Sequence, residues 1–326
     1  MHPPERLSIM DPLSDVLSLL KPRSHISSGF DAAGPWSVRF PRNVGIKCYA
    51  VVSGQCWLAM DGVPEPVHLQ AGDCFLLPSG RPFRLASDLA LPPVDAETIF
   101  RGKRPGFVNK FNGGGEFVLV GSRFELAGNH ANILLDVLPP IVRIRDVAGQ
   151  AALRWSVEHM MQELREPQPG NALIAEHLAH MMLVQALRLC IADGPAAGVG
   201  WLFALADRQM SAAITALHAD PARRWTLPAL AEEAGMSRSS FALKFKATVG
   251  QSPMDYLTRW RMLLAGDRLQ TGADSVSVIA LSLGYESESA FSTAFKRVMG
   301  CSPRQHGRGS IPADARQAEA PEFIAG

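Results

Sequence analysis

The sequence predicts an α+β protein: an N-terminal β-sandwich or barrel, then a helical segment, then an all-α C-terminal domain. Short apolar runs broken by Gly, Pro and Asp fill the stretch from Trp36 to about Phe124, which is typical of antiparallel strands. After Pro139-Pro140 the apolar residues recur with a helical period. In the last third of the chain one unit occurs twice: a small-residue helix, a turn, and a helix that opens with Ser and carries two Phe four residues apart.

The N-terminal region begins with a weakly patterned lead-in of about 30 residues, in which Leu13, Val16, Leu17 and Leu20 predict one short amphipathic helix. The strand-length runs that follow are WSVRF, GIKCYAVVSG, QCWLAMDG, PVHLQAGDCFLLPSG, RPFRLAS and GEFVLVGSRFEL. The segment from Asp95 to Gly115 is predicted to be a loop or hairpin tip. Its Gly113–Gly115 run enters a strand rather than a helix, which disfavours a phosphate-binding loop.

Two helices are predicted in the middle of the chain, from Ala148 to Leu164 and from Ala172 to Ile191, separated by a break at Arg165 to Asn171. The second helix has one stripe wide enough to be buried against another helix, formed by Leu173, His177, His180, Met181, Val184 and Leu187. His177 and His180 allow a metal-site interpretation, but packing is favoured because no carboxylate or thiol accompanies them. Asp193 to Gly200 is the predicted linker, and the residues after Arg308 are predicted to be disordered.

The duplicated unit runs from Thr226 to Pro253 and again from Ser275 to Pro303. A helical wheel places two Phe of each copy on one face, together with Val249 in the first copy and Met299 in the second. The opposite face is small, polar and basic in both copies. It is formed by Ser239, Leu243 and Lys246 in the first helix and by Ser289, Thr293 and Lys296 in the second.

This exposed face is what a recognition helix needs to enter the major groove, and Ser237 and Ser287 are good N-caps that leave backbone N–H groups available for phosphate. Pro253 to Gln270 is predicted to form one helix of roughly 25 Å at about 1.5 Å per residue. Such a spacer can hold two recognition helices in successive major grooves, about 34 Å apart. A single helix-turn-helix pattern is also compatible with an ordinary helical bundle, but two matching copies with a linker helix favour DNA binding.

Composition and charge agree with a two-domain globular protein. The net charge is only +1, but Asp207 to Arg308 contains 13 Lys and Arg against 9 Asp and Glu, whereas the rest contains 19 against 22. No signal sequence is recognised, and the polar residues of Ala172 to Ile191 disfavour a membrane span, so a cytoplasmic protein without membrane contact is expected. The five cysteines lack a CxxC pair, which indicates reduced thiols rather than disulfides or structural zinc.

The C-terminal motifs resemble those of the AraC/XylS family of transcriptional regulators, and Gly284 to Lys296 is the most recognisable stretch. Upstream, Tyr49–Gly62, Leu69–Gly80 and Gly121 to Phe124 are similar to the cupin-type sensor that accompanies this module in one subgroup. The resemblance implies a cupin-like effector domain over residues 1–145, a helical dimerisation segment and linker over 146–206, a DNA-binding domain over 207–308 and a disordered tail over 309–326.

The resemblance also implies the DNA contacts. Base-facing positions are Arg238, Ser239, Ala242 and Leu243 in the first recognition helix, and Glu288, Ser289, Ser292 and Thr293 in the second. Phosphate contacts are Lys246, Lys296 and Arg297. The sequence departs from the common pattern at Ala242 and Leu243, where many relatives have Arg or Gln. Apolar side chains can touch thymine methyl groups but cannot bind guanine in a bidentate manner, so weak readout by the first helix is expected.

A cupin raises the possibility of a metal-dependent enzyme, but the ligand positions are empty: Gly45 to Gly54 lacks a His-x-His pair, and Phe83 stands where the second motif usually has histidine. No enzyme activity, cofactor or metal is therefore expected. The predicted partners are promoter DNA, a second copy of the chain, a small-molecule effector and possible contact with RNA polymerase.

The effector is expected inside the barrel. The candidate lining residues are Trp36, Arg39, Trp57, His68, Phe75, Phe83 and His130. A redox sensor of the same architecture is the alternative, since Cys48, Cys56 and Cys74 all lie on predicted strands; buried strand cysteines are more often inert.

Overall fold

The computed structural model describes residues 11–101, 106–126, 132–145, 151–192, 198–272 and 274–308. The chain divides into two compact units. The first, here called the β unit, is Leu20–Gly198, and the second, here called the helical unit, is Met1–Leu19 with Val199–Gly326. The predicted domain boundaries remain a prediction. The predicted linker at residues 193–197 and the predicted disordered tail lie outside the described residues.

The β unit holds all the strands that the described residues form: β1 (Arg23–Ala32), β2 (Ser37–Phe40), β3 (Ile46–Ser53), β4 (Gln55–Met60), β5 (Val67–Gln70), β6 (Cys74–Leu77), β7 (Phe83–Ala86), β8 (Val94–Asp95), β9 (Val108–Phe111), β10 (Phe117–Glu125) and β11 (Val142–Ile144). They form a six-stranded sheet in the order β11-β6-β3-β10-β1-β9 and a five-stranded sheet in the order β5-β4-β7-β2-β8. Apolar residues of both sheets form one core cluster that includes Phe30, Trp36, Leu58, Phe75 and Phe83. The predicted α+β class and β-sandwich are therefore confirmed.

The structure corrects three parts of the predicted strand pattern. After Pro139-Pro140, where a helical period is predicted, the chain first forms β11. The N-terminal lead-in contains the predicted short helix, α1 (Pro12–Leu20), but it also contains β1, which pairs with β10 and, in parallel, with β9. The predicted loop between Asp95 and Gly115 contains α2 (Ala96–Phe100) and β9. Strands β1 and β9 were missed because their polar residues hide the alternation on which the sequence reading depends.

The β unit also contains α3 (Asn132–Leu135), α4 (Ala151–Arg165) and α5 (Asn171–Ala192), the last two close to their predicted bounds. Among the described residues, α5 is the helix that is long and apolar enough to cross a membrane by length and composition alone. It also behaves as a core helix, because Ala175, Leu178, Met182 and Leu183 are buried in the unit. The predicted buried stripe needs correction: Leu187 is fully buried, but Leu173, His177 and Met181 are exposed.

The helical unit is built from α1 and from α6 (Trp201–Ala204), α7 (Arg208–Ala219), α8 (Leu227–Glu233), α9 (Arg238–Val249), α10 (Pro253–Thr271), α11 (Val276–Ser282), α12 (Glu288–Met299) and α13 (Pro303–Gly307). The pairs α8–α9 and α11–α12 are the two helix-turn-helix copies, and α10 is the predicted spacer helix. Ser or Thr caps six of these N-termini, from Thr226 at α8 to Ser302 at α13, with α9 and α12 capped by Ser237 and Ser287. Local sequence therefore determines where each helix begins.

The two copies share one packing scheme. Phe241 and Phe245 of α9 are fully buried with their ring centroids 5.5 Å apart, and Phe291 and Phe295 of α12 are fully buried at 5.7 Å. In the second copy the rings pack against α10 and α11 through Met262, Leu269, Ile279 and Leu283. Burying one Phe contributes roughly 1.5–3 kcal/mol, so these pairs are the main apolar anchors of each recognition helix.

Candidate functional site

Each recognition helix begins at its predicted Ser cap and ends at a glycine. The Ser237 hydroxyl accepts a hydrogen bond from the backbone N–H of Ser240 at 3.3 Å, and the Ser287 hydroxyl accepts one from Ala290 at 3.2 Å. Gly250 and Gly300 end the helices in the left-handed conformation, with φ of 84° and 75°. Left-handed backbone favours glycine, so both copies stop at an equivalent residue.

The turn of the second copy is closely packed. Gly284 has a φ of +79°, and a Cβ atom placed on it would lie 2.2 Å from the carbonyl oxygen of Ala222. Arg261 strengthens the same place: its Nε donates to the Pro221 carbonyl at 2.6 Å and its guanidinium lies 5.6 Å from the Tyr285 ring. The turn of α11–α12 is thereby tied to the loop that precedes α8.

The predicted base-facing and phosphate-contacting positions are exposed or half-buried residues of each helix, whereas the Phe pair is fully buried. Exposed members are Arg238, Ser239, Leu243 and Lys246 on α9, and Ser289, Thr293, Lys296 and Arg297 on α12. Leu243 is 73% exposed, which is unusual for a large apolar side chain. Ala242 and Ser292 are half-buried, so they offer less surface to a partner than their neighbours.

Glu288 is the base-facing candidate that other side chains engage most strongly. It accepts a short hydrogen bond from the Ser277 hydroxyl and lies 3.9 Å from the Arg304 guanidinium. A carboxylate held in this way helps to orient the N-terminus of α12, where its charge also favours the helix dipole. Direct base contact by Glu288 requires these interactions to rearrange.

A buried histidine supports the first copy from beneath. His218 on α7 is 7% exposed; in its neutral form Nδ1 donates to Asp15 of α1 at 3.1 Å and Nε2 accepts from the Tyr256 hydroxyl at 2.7 Å. Its ring stacks on Trp260 with centroids 4.1 Å apart. Burial lowers the pKa of His218, whereas the hydrogen bond and charge of Asp15 oppose that shift. The sequence analysis missed this contact because α1 and α7 are about 200 residues apart in the chain.

The predicted effector-lining residues divide between the two faces of the five-stranded sheet. Trp36 and Phe83 are buried in the core between the sheets, as is Phe75. Arg39, Trp57 and His68 alternate with inward residues and lie on the outer face. Arg39 pairs there with Asp61 at 2.8 Å, and the Trp57 and His68 rings lie 4.8 Å apart. The alternation of a strand explains this correction. His130 lies outside the described residues.

The inner face of the six-stranded sheet carries polar side chains that the sequence analysis did not select. Lys47 on β3 lies directly opposite Arg123 on β10, and Tyr49 lies opposite Gly121 in the same pairing. A Cβ atom at Gly121 would lie 2.2 Å from Cδ1 of Tyr49, so the glycine makes room for this ring. The signal in the sequence is the charged residue in the run GIKCYAVV, at even spacing from Tyr49 and the buried Val51.

Four of the thiols are buried. They belong to Cys48, Cys56, Cys74 and Cys190, whereas Cys301 is half-buried. A hydrogen bond with Cys74 and burial raise the pKa of Cys48 well above its usual value, and burial raises that of Cys56 to about 12. Protonated thiols are poor nucleophiles and poor metal ligands. Within the described parts of the chain no cluster of His, Cys, Asp and Glu is suited to hold a metal ion.

Two capped helices with buried Phe pairs, polar and basic outer faces and a connecting helix define a DNA-binding protein of the double helix-turn-helix class. Comparisons with known proteins agree. The cupin family matches residues 11–192 and the helix-turn-helix domain family matches residues 230–309.

The chain is 46% identical over 295 residues to an AraC-like transcription regulator of Streptomyces lividans, covering 90% of this chain and 97% of that protein. It is 44% identical over 304 residues to an AraC-like regulator of Streptomyces antibioticus, covering 93% and 100%. Among solved structures, the DNA-binding domain of AdpA in complex with target DNA matches 35% of this chain and 99% of that chain, with 28% identity and a TM-score of 0.30. The chain belongs to the AraC family of transcription regulators, with a cupin domain before the DNA-binding domain.

Proposed function

We propose that this regulator binds its promoter through both helix-turn-helix copies, with α9 and α12 in successive major grooves. The observation that carries the proposal is the pair of equivalent, outward-facing helices joined by α10, which has 19 residues. At about 1.5 Å per residue such a helix spans roughly 28 Å, close to the one-turn separation of neighbouring major grooves, about 34 Å.

The base and phosphate contacts remain those that the sequence predicts. Ser289 and Thr293 offer hydroxyl groups for hydrogen bonds to base edges, while Leu243 offers an apolar surface that suits a thymine methyl group. Lys246, Lys296 and Arg297 supply the positive charge for phosphate. The exposed side chains of all six support this assignment.

The proposal includes control by a small-molecule effector in the β unit. The thiol-based alternative has less support, because the raised pKa values of Cys48 and Cys56 keep these thiols protonated. A metal-dependent enzyme has less support again, since Phe83 occupies the position of the usual ligand. Cytoplasmic location and contact with RNA polymerase complete the proposal, with no residue assigned to the polymerase.

Dimerisation is proposed to use the outer face of α5. Leu173, Ile174 and Met181 are 60%, 46% and 40% exposed, and the first two lie about two turns from Met181 on one side of that helix. Large apolar side chains grouped in this way are typical of a surface that associates with a partner. Leu173→Asp and Met181→Asp should raise the dimer dissociation constant in sedimentation experiments. Val44→Asp, at an equally apolar position that is 76% exposed, is the matched control and should not.

Footprinting of the full-length protein on the DNA next to its own gene tests the DNA-binding proposal. We expect two protected segments one helical turn apart, and a change in occupancy when the correct effector is added. Effector and DNA must alter each other's affinity by the same factor, because the coupling free energy is shared. The proposal would be contradicted if the protein protected no segment of that DNA.

A further inference from the structure

The β unit contains a buried positive charge that no carboxylate of its described residues pairs with. Lys47 is 8% exposed, and its ammonium group lies 4.6 Å from the Phe83 ring centroid and 5.2 Å from that of Phe40. Among the described residues no carboxylate forms an ion pair with it. Asp73, which is 2% exposed, is paired instead, with the Arg143 guanidinium at 2.5 Å.

Leaving an ammonium group buried with only aromatic rings around it is costly, because the rings replace a small part of its lost hydration. This cost is reflected in the pKa of Lys47. Burial, assisted by the nearby charge of Arg123, lowers the pKa of Lys47 to about 8. The fold therefore holds a positive group in a place where an anion would stabilise it.

A second cation faces the same place. Arg123 lies directly across from Lys47 on β10, and one of its terminal nitrogens donates to Glu125 at 2.9 Å. Its Nε is buried and makes no hydrogen bond with any residue in the described parts of the chain. Two like charges on neighbouring strands repel each other, and an orphaned donor adds its own desolvation cost. One anion between them would relieve both effects.

The surroundings of this cation pair are apolar. The Phe40 and Phe83 rings stack at 4.6 Å, and the Tyr49 ring lies 5.3 Å from Phe75 and 6.3 Å from Phe83. Burial raises the pKa of Tyr49, yet Tyr49 and Phe40 both keep accessible surface. These half-buried rings therefore offer surface that an apolar ligand can contact.

We propose that Lys47 and Arg123 bind the carboxylate group of the effector, and that Phe40, Tyr49 and Phe83 contact an apolar body attached to it. The effector class is thus a hydrophobic carboxylate. This inference rests on the proposed control by an effector, and it adds the chemistry of the ligand. The ammonium group and the Arg123 Nε each donate a charge-assisted hydrogen bond to the anion.

Calorimetric titration of the full-length protein with matched probes tests the proposal. Octanoate and 1-naphthoate are compared with octan-1-ol and 1-naphthalenemethanol, which have similar bodies and no charge. Because charge-assisted hydrogen bonds contribute about 1.5–3 kcal/mol, we expect at least one carboxylate to bind about 10- to 100-fold more tightly than its alcohol. Equal affinity within each pair, or no carboxylate binding at millimolar concentration, would overturn the proposal.

Two variants locate the charge effect. Lys47→Met and Arg123→Met should each remove most of the preference for the carboxylate and leave alcohol binding nearly unchanged. Lys110→Met, which removes an exposed lysine of the same unit, is the control and should bind like the wild type. Lys47→Met should also raise the melting temperature without ligand, because it removes a buried charge. If Lys47→Met and Arg123→Met both kept the preference for the carboxylate over the alcohol, the proposed site would be wrong.

The pH dependence gives an independent check. Lys47 faces Arg123 and, beyond it, Glu125 on β10, Tyr49 on its own strand, and the rings of Phe40 and Phe83 on β2 and β7. Carboxylate affinity should fall as the pH rises through about 8, since Lys47 then loses its proton. Alcohol affinity should not change over that range. The Lys47 and Arg123 variants should also be footprinted on DNA without any carboxylate or alcohol. We expect them to bind DNA like the wild type, so a failure of the anion site can be told apart from a failure of the DNA-binding proposal.

Discussion

The two helix-turn-helix copies differ on the faces that contact solvent and agree on the faces that are buried. Both have a Ser cap, two fully buried Phe and a left-handed Gly at the end. On the exposed face, α9 presents Leu243, which is 73% exposed, where α12 presents Thr293. Because the helical period places packing and reading positions on opposite sides, one set can be kept while the other changes.

The copies also differ beneath the recognition helix. The first rests on His218, which is bonded to Asp15 and Tyr256 and stacked on Trp260. The second has His306, whose Nε2 lies 3.2 Å from the Gln270 side-chain nitrogen and whose ring lies 5.4 Å from Phe295. Both histidines are buried, and His218 is held by the Asp15 carboxylate, so the first copy depends on a charge.

Removing a buried Phe from either copy should have the largest effect. Phe245→Ala and Phe295→Ala leave equivalent cavities, and each should lower the free energy of unfolding by about 3–5 kcal/mol. Chemical denaturation checks the stability, and the footprint should shorten on the side of the altered copy. Leu243→Ala is the control and should change stability by less than about 0.5 kcal/mol. A wild-type unfolding curve for either Phe variant would show that the buried face is wrongly assigned.

Changes on the reading faces should separate the copies. Thr293→Ala removes a hydroxyl group available to a base edge, and a lost hydrogen bond of about 1 kcal/mol corresponds to roughly a fivefold change in base preference. Leu243→Ala and Ala242→Ser should change the preference by about twofold or less, since neither position makes a bidentate contact. Selection from randomised operators measures both. Equal changes in the two halves would remove the proposed difference in readout.

The two copies should also differ in the number of phosphate groups that they contact. Each lysine or arginine that displaces counterions steepens the dependence of affinity on salt, so its removal should lower the log–log slope by about 0.9. The double variant Lys296→Ala with Arg297→Ala should therefore lose about twice the slope lost by Lys246→Ala. Titrations at several salt concentrations give these slopes, and Lys110→Ala in the β unit should leave the slope unchanged. An unchanged slope in the double variant would exclude these residues as phosphate contacts.

Acid should lower the stability of the first copy more than that of the second. This is the smallest of the four predicted effects. Burial lowers the pKa of both His218 and His306 below the usual value of 6.5. A folded-state pKa below the unfolded one means that the unfolded chain binds protons first, so stability is lost as the pH falls through and below 6.5. His218→Gln should flatten the pH profile of the melting temperature more than His306→Gln does. The opposite ranking would contradict this account.

Local signals in the sequence were sufficient for the two helix-turn-helix copies. Ser237, Ser287, Gly250 and Gly300 mark helix ends, and pairs of Phe at i and i+4 mark the buried side, so element bounds and exposed faces could be predicted together. The contact of His218 with Asp15 could not, because it joins distant parts of the chain. Short-range patterns carry no information about such pairs.

In the β unit the strand pattern was predictable but the direction of the side chains was less so. Arg39, Trp57 and His68 were chosen by residue type and lie on the outer face of their sheet, because side chains alternate along a strand. Lys47 was overlooked although it shares the parity of Tyr49 and Val51. Lys47 lies an even number of residues from the buried Val51, so the sequence alone could have placed both side chains on the same face of the strand. Its pairing with Arg123 could not be predicted, because it depends on the order of the strands in the sheet.

Hydroxyl-radical footprinting of the full-length protein on its own operator tests the central claim most directly. The account predicts two protected segments on one face of the DNA, centred about 10 base pairs apart, because α9 and α12 occupy successive major grooves. It also predicts that Phe295→Ala removes the segment bound by α12 while the segment bound by α9 remains, and that Phe245→Ala does the reverse. A single protected segment in the wild type, or loss of the same segment in both variants, would contradict the claim.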